Sequence, residues 1–393
     1  MKVLFLAQRV PYPPNRGDKI TTWRLVERLQ RDHEVVIIAF AHDEGDMQAA
    51  EQLRAKGIET HVVRHDERGK KLAAMPLLLT QKPLTLGVYG SPELQAIVDE
   101  HAPTADMAYA FSSSMGAFLV GGKLPWVMHF AELDSDKWLQ YSKLKRFPMS
   151  WVYRREWRTL LKFEQRIAAD AITNVFCTPL ESKIFEEQIP GCDSMVLRNG
   201  VDLEHYRPAP ELAEPRHLVF TGVMDYYPNV DGCQHFVAQI LPRIREEFPD
   251  VHFSIVGSKP NADVLRLGEK EGVTVTGFVD DTRDWLERAA VSVAPLRIAR
   301  GIQNKVLEAM AMGLPVVGTT CATQGVGGIS SRHFLVAETA QEQAQMIRGL
   351  LREPQRARQL GDAARRYVEE NYDWEVALTP LDEIVERCRQ ARA

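Results

Sequence analysis

Short apolar runs alternating with amphipathic stretches predict an α/β protein built on two parallel sheets. Three observations carry that prediction. Residues 3–7 and 35–40 are continuous apolar runs of strand length, the pattern of strands covered on both faces. The segments between such runs carry helical spacing instead. The alternation stops near Asn199, crosses a polar stretch holding Pro208, Pro210 and Pro215, and restarts at residue 217.

At 393 residues the chain has room for two domains with complete cores. A net charge of −5 supplies no general attraction for nucleic acid, so no such partner is expected. Cys177, Cys192, Cys233, Cys321 and Cys388 are scattered without zinc or redox spacing, which suits a reduced, cytoplasmic protein. Residues 1–7 reach Gln8-Arg9 too soon for a signal peptide. No apolar run is of membrane-spanning length, so any membrane association is expected to be peripheral.

In order, residues 3–7 read as a strand and 8–18 as a loop stiffened by Pro11, Pro13 and Pro14 and closed by Gly17. Gly17 either lets backbone approach a ligand or simply makes a turn. A helix at 19–30 and a strand at 35–40 follow. A helix at 47–56 precedes a strand at 58–63, with later strands at 106–111, 124–130, 171–177 and 195–197. His129 stands at a strand's carboxyl end, where open α/β sheets gather ligands; the alternative is a satisfied structural histidine. Asp134-Ser135-Asp136 has the spacing of carboxylates that hold a divalent ion, but Ser135 or Asp136 is expected to cap the following helix. Residues 137–166 carry nine cations against Glu156 and Glu164, interleaved with Trp138, Trp151, Tyr153, Trp157 and Phe163. That stretch fits an anionic membrane surface or anionic acceptor, or else a core-facing aromatic stripe with a solvated basic back.

The second series places strands at 217–222, 251–257, 273–278, 291–294 and 316–317, with helices at 230–248, 262–270 and 282–289 and a helical tail over 338–392. Gly222, Gly257 and Gly277 end strands, which suits backbone contact with a ligand or plain turns. After residue 294 comes Arg300-Gly301-Ile302-Gln303-Asn304-Lys305-Val306-Leu307-Glu308. A glycine turn leads to a helix starting near Asn304, which Gly313 and Pro315 stop. Strand, turn and helix start together make an anion site, because backbone N–H groups and the positive helix end face the turn. Lys305 and Glu308 share a face, with Arg300 or Lys305 suited to phosphate and Glu308 to a ribose diol. A surface salt pair on an amphipathic helix is the alternative.

These residues resemble a GT-B glycosyltransferase of the retaining family 4, or group 1. The resemblance is strongest over 199–319, in Asn199-Gly200-Val201-Asp202, Phe220-Thr221-Gly222, Ile255-Val256-Gly257, Thr276-Gly277-Phe278-Val279 and Leu307-Glu308-Ala309-Met310-Ala311-Met312-Gly313-Leu314-Pro315. Tyr12-Pro13-Pro14-Asn15-Arg16-Gly17-Asp18-Lys19, Asp134-Ser135-Asp136-Lys137-Trp138 and Gly301-Ile302-Gln303-Asn304-Lys305 are similar to transferases of exosortase-linked (PEP-CTERM) exopolysaccharide systems. The resemblance implies two Rossmann-like, doubly wound parallel-sheet domains facing across a cleft. Residues 1–205 would form the acceptor side, joined by a crossover helix at about 374–393, and 206–373 would hold the nucleotide-sugar. It implies ribose on Glu308, the base on backbone at Phe278 and Val279, donor phosphate near Gly17, and His129 near the sugar or acceptor. Gly222, Gly257, Gly301, Ile302, Gln303, Asn304 and Lys305 complete the expected donor site.

Two departures stand out. The family has two glutamates eight apart, and Arg300 replaces the first. The Arg and Lys that commonly follow the first strand end are missing from Gly222-Val223-Met224-Asp225-Tyr226-Tyr227-Pro228-Asn229. Arg300 and Lys305 are the expected replacements, acting on the leaving diphosphate. The expected activity is transfer from a nucleoside-diphosphate-sugar to a saccharide or polyprenyl-linked acceptor, with no cofactor or metal. It would take place in the cytoplasm, with 137–166 against the anionic inner membrane. A nucleotide-sugar 2-epimerase and a silent nucleotide-sugar-binding partner of a polysaccharide assembly complex are the alternatives.

Overall fold

The computed structural model describes residues 1–299 and 301–392. The chain divides into two compact units, Met1–Arg198 with Leu378–Ala393, and Asn199–Ala377.

In the first unit, seven strands form one parallel sheet. They are β1 (Lys2–Ala7), β2 (Glu34–Ala41), β3 (Thr60–Arg64), β4 (Met107–Phe111), β5 (Trp126–Ala131), β6 (Thr173–Phe176) and β7 (Ser194–Val196), in the order β3-β2-β1-β4-β5-β6-β7. β1 lies between β2 and β4, with Phe5 in register with Ile37 on one side and Tyr109 on the other. Its run Val3–Ala7 is fully buried, which is why the sequence shows no alternation there. Winding reverses between β1 and β4, and this is the sheet's topological switch point.

The second unit repeats the plan with β8 (His217–Thr221), β9 (His252–Val256), β10 (Val273–Val275), β11 (Val291–Ala294), β12 (Val316–Gly318) and β13 (Leu335–Val336). Their order, β10-β9-β8-β11-β12-β13, puts the switch point between β8 and β11. The segments leaving those two strands, Gly222 onward and Pro295 onward, therefore emerge side by side at the carboxyl edge.

The helix Asn304–Ala311 follows β11 and buries Val306, Leu307, Ala309, Met310 and Ala311. Full burial of a Leu or Met side chain contributes roughly 1.5–3 kcal/mol, so this face fixes the helix on the sheet. Gly313, at φ +70, ends it as expected, with Gly313 N–H donating to Met310 and Leu314 N–H to Ala309.

Elsewhere local chemistry shortens what periodicity joins. The expected helix at 230–248 is a helix Tyr227–His235, a π-helical turn Phe236–Ile240 and a helix Leu241–Arg245. Pro242 has no N–H to give, and its ring crowds the preceding turn. The expected helix at 282–289 keeps only Arg283–Leu286, and the strand at 273–278 stops at Val275, before Gly277 turns at φ +71. The first helix begins at Gly17 rather than Lys19, and the tail is four helices, Ala340–Arg352, Pro354–Tyr372, Trp374–Ala377 and Pro380–Arg392. No helix among the described residues is long and apolar enough to cross a membrane.

Candidate functional site

At the switch point of the second sheet, Lys305 and Glu308 stand on the helix Asn304–Ala311. Lys305 Nζ donates to Asn229 Oδ1 at 2.5 Å and lies 4.3 Å from the Phe220 ring centroid. Asn229 is itself held by its amide nitrogen, which donates to Val223 O at 2.8 Å. The ammonium therefore lies beside the Gly222–Asn229 segment, where the sequence lacks cations of its own. A Cβ on Gly222 would stand 3.0 Å from Lys305 Nζ and 2.7 Å from Asn229 Nδ2, so the amine reaches the backbone only because no side chain intervenes. Gly257 is the neighbouring case, since a Cβ there would collide with the Gly222 carbonyl oxygen.

Burial pulls the Lys305 pKa down to about 8. Burial likewise raises Glu308 to about 7, against the opposing pull of Lys305 and a hydrogen bond from Tyr206. Burial raises the Tyr206 hydroxyl too, and the Glu308 charge adds to that. Both residues keep some surface of their own, so they are poorly hydrated yet within a ligand's reach. A cation and a carboxylate held in this state are poised to gain from a polar ligand.

The surrounding elements hold the pair rigidly. Arg365, on the helix Pro354–Tyr372, donates to the carbonyls of Ala311 at 2.7 Å and Tyr206 at 2.6 Å. One guanidinium thus satisfies the last carbonyl of the helix that carries Glu308 and fixes the backbone of Glu308's partner. Arg297, after β11, pairs with Asp231 on the helix Tyr227–His235. Asn229, Tyr206 and Arg365 were missed by sequence reasoning. Asn229 lay in plain view in the segment noted for lacking cations; Tyr206 and Arg365 gave no local signal.

The other expected donor residues lie in the same unit. Gly301 turns at φ +63, and open space lies where its Cβ would be. Ile302 packs against the core, and Gln303 precedes the helix in extended backbone without capping it through its side chain. Arg300 lies outside the described residues. Gly257 N–H donates to Thr276 Oγ1 at 3.3 Å, which draws the loop after β10 to the end of β9. In that loop Phe278 is 74% exposed, while Val279 packs inward.

In the first unit, Gly17 opens the helix Gly17–Gln30, and Arg16 before it makes no side-chain cap. His129 is sealed in the core at 0% exposure. Its Nδ1 lies 2.7 Å from Tyr109 Oη and its Nε2 3.5 Å from Cys177 Sγ, and burial depresses its pKa to about 3. A neutral ring with both nitrogens occupied has no atom to offer a sugar, so the geometry matches the satisfied structural histidine.

The expected cap at Asp134-Ser135-Asp136 needs correction. Leu133 occupies the cap position and Asp134 is already helical. Asp134 accepts from Ser113 Oγ at 2.6 Å, Asp136 accepts from Gln140 and Gln188, and the buried Ser135 donates its backbone N–H to Glu164 Oε1 at 3.2 Å. Asp134 and Asp136 tie the helix to neighbouring elements through Ser113 and Gln188, Asp136 also bonds Gln140 one turn on, and none of these contacts caps the helix start. The basic stretch divides between its two readings. Trp138, Tyr141 and Tyr153 pack together with centroids 5.3–6.1 Å apart, whereas Phe147 is 81% exposed and Trp151 51%.

Comparison with known proteins agrees with this layout. The family described as Glycosyl transferases group 1 matches residues 215–353. Phosphatidyl-myo-inositol mannosyltransferase of Propionibacterium freudenreichii is 26% identical over 231 residues, 56% of this chain and 58% of that protein. Spore coat protein SA of Bacillus subtilis is 28% identical over 39% of this chain and 45% of its own length. The chain thus spans about half the length of these curated relatives. Among solved structures, sucrose-phosphate synthase from Thermosynechococcus elongatus superposes with a TM-score of 0.75 at 16% identity, covering 99% of both chains. Anabaena Alr3699/HepE, solved in complex with UDP-glucose, gives 0.68 at 16% identity over 98% of this chain and 99% of that one. The fold is the GT-B fold of these solved structures, and residues 215–353 match the family described as Glycosyl transferases group 1.

Proposed function

We propose that the protein transfers a sugar from a nucleoside-diphosphate-sugar to a saccharide or polyprenyl-linked saccharide, with retention at the anomeric carbon. The pathway proposed is synthesis of an exopolysaccharide or other cell-surface glycan of the exosortase-linked kind. The observation that carries this reading is the Lys305 ammonium held beside Gly222 and Asn229. It supplies a cation where the resemblance expects the family's own Arg and Lys.

In this reading the diphosphate lies at the Gly301 turn, against Lys305 and the start of the helix Asn304–Ala311. Glu308 accepts from the ribose diol, and the base lies along Phe278 and Val279. Gly222 and Gly257 admit the donor close to backbone. The bond from the anomeric carbon to the diphosphate oxygen breaks, and that oxygen keeps the electron pair. The acceptor hydroxyl bonds to the same face of that carbon and releases its proton to the departing phosphate. Lys305 stabilises the charge that develops on the leaving group, with Arg300 beside it in sequence. That role calls for no metal ion.

A 2-epimerase would need acid and base groups at the sugar, and the sealed His129 supplies none. A silent nucleotide-sugar-binding partner would use the same lysine and glutamate to hold its ligand, and transfer by the purified protein separates the two readings. Support for contact with an anionic membrane comes from the apolar side chains around 137–166. Arg155 donates to the carbonyls of Leu77, Leu78, Thr80 and Lys82, which brings Leu79, 92% exposed, to the same basic helix. Residues 68–82 add four cations and no carboxylate. Flotation with phosphatidylglycerol vesicles should carry the protein at low salt and release it in high salt.

A thermal-shift screen against UDP- and GDP-sugars tests the activity at its first step, since a donor that binds the folded state raises its melting temperature. The active donor should then yield free nucleoside diphosphate and a product of retained anomeric configuration when acceptor is added. Stabilisation by no nucleotide-sugar, or an epimerised donor formed without acceptor, would overturn the proposal.

A further inference from the structure

The first unit holds a second group of chemically capable side chains, at the amino edge of its sheet. Glu59 immediately precedes β3, His61 is the second residue of β3, and His101 closes the helix Pro92–His101. Residues two apart on extended chain project from one face, so Glu59 and His61 point the same way. Glu59 Oε1 lies 3.0 Å from His61 Nε2 and 3.6 Å from His101 Nδ1. The imidazole centroids are 4.5 Å apart, and one ligand atom from each of the three residues lies within 4.8 Å of the other two.

Those distances have the scale of a coordination shell. A tetrahedral ion with arms of about 2.0–2.1 Å sets neighbouring ligand atoms about 3.3 Å apart, and the two measured approaches to Oε1 bracket that value. Glu59 Oε2 faces Lys2 Nζ at 3.7 Å. The carboxylate is therefore oriented by a cation on one oxygen while the other faces both imidazoles, as outer partners orient metal ligands. Two imidazoles and one carboxylate suit zinc-like ions, whereas magnesium and calcium prefer all-oxygen sets.

We propose that Glu59, His61 and His101 form a three-ligand site for a divalent transition ion of the zinc class, with the fourth position open to solvent. The ion clips β3 to the end of the helix Pro92–His101. β3 stands at the end of the strand order, next to β2, so it gains more from an extra tether than a central strand does. The role is structural and belongs to the first unit. It is separate from the transfer chemistry proposed for Lys305 and Glu308 in the second, and stands or falls without it.

The test uses the full chain stripped of metal with EDTA, then titrated with zinc chloride against a chromophoric chelator, with magnesium chloride as control. One equivalent of zinc is expected to bind at micromolar concentration, with magnesium failing to compete. Amide exchange in β3 should slow severalfold when zinc is present. His101→Ala and Glu59→Gln should each weaken this binding by about tenfold or more and abolish the slowing. Cobalt chloride should give a visible band of low coordination number in the wild type and lose it in His101→Ala. Equal zinc binding by wild type and both variants would assign the metal to other histidines and overturn the proposal, as would exchange in β3 indifferent to zinc. Should His101→Ala fold poorly, the isosteric Glu59→Gln on the exposed edge carries the same comparison.

Discussion

His129 in the first unit and Lys305 with Glu308 in the second are poorly hydrated polar groups at the carboxyl edges of related sheets, yet they stand in opposite conditions. His129 is neutral, with Tyr109 and Cys177 against its two nitrogens and no exposed surface. Burial has already converted it to the form its surroundings want. Lys305 and Glu308 have lost much of their hydration, and their pKa values are drawn toward neutrality, to about 8 and about 7. Among the described residues, Asn229 hydrogen-bonds Lys305, Tyr206 hydrogen-bonds Glu308, and the two charges attract each other. A fully partnered buried group is architecture; a charged group stripped of much of its water at a sheet's switch point has interaction energy left for a ligand.

The strongest challenge to that contrast is Lys305→Ala. Removing the cation held beside Gly222 should lower kcat for sugar transfer by about 10²–10³-fold, read from steady-state kinetics with the active donor. Unchanged turnover would falsify the role assigned to Lys305. Gly257→Ala should follow, with transfer reduced about 10- to 100-fold, because the new Cβ meets the Gly222 carbonyl and displaces the strand end. An intact melting profile together with a raised donor KM would separate this local shift from unfolding.

Glu308→Gln sharpens the comparison through pH. Its carboxyl holds a proton up to about 7 in the folded protein, against an ordinary 4.5. The folded state therefore binds more protons than the unfolded chain between those values, and wild-type stability falls as pH rises through that window. The variant escapes the loss, so it should melt above wild type at pH 8 and show no such gain near pH 4. Donor KM should rise about tenfold in the variant, from loss of the charged acceptor for the diol. The wild-type kcat/KM should fall below about pH 7, as Glu308 takes its proton, and again above about pH 8, as Lys305 loses its own. The upper limb should move to higher pH in kcat, because a bound diphosphate holds the lysine charged. The smallest effect on transfer belongs to His129→Phe. It should leave kcat/KM within about twofold at a permissive temperature while stability drops by about 1–3 kcal/mol, the cost of an unpartnered Tyr109 hydroxyl, measured by thermal melting.

Periodicity and turn chemistry made much of this molecule legible in the sequence. The unbroken apolar runs of β1 and β2 could only be strands covered on both faces, and the halt at Asn199 showed that the plan occurs twice. Gly313 announced the end of the helix Asn304–Ala311 because a left-handed residue there needs no side chain. What reads along the chain stops where Pro242 splits one expected helix into three pieces, and where Asp134-Ser135-Asp136 turn to Ser113, Gln140 and Gln188 instead of their own backbone. By itself, the sequence determined the two wound sheets and the short list of residues that could carry chemistry, since both follow from local spacing and residue type. Only the tertiary structure decided that His129 is sealed and that Lys305 reaches Asn229, 76 positions away. It also decided that Tyr206 and Arg365 brace Glu308. Hydration, and with it the charge state of a buried group, is set by neighbours that the order of winding brings together and that sequence spacing does not encode.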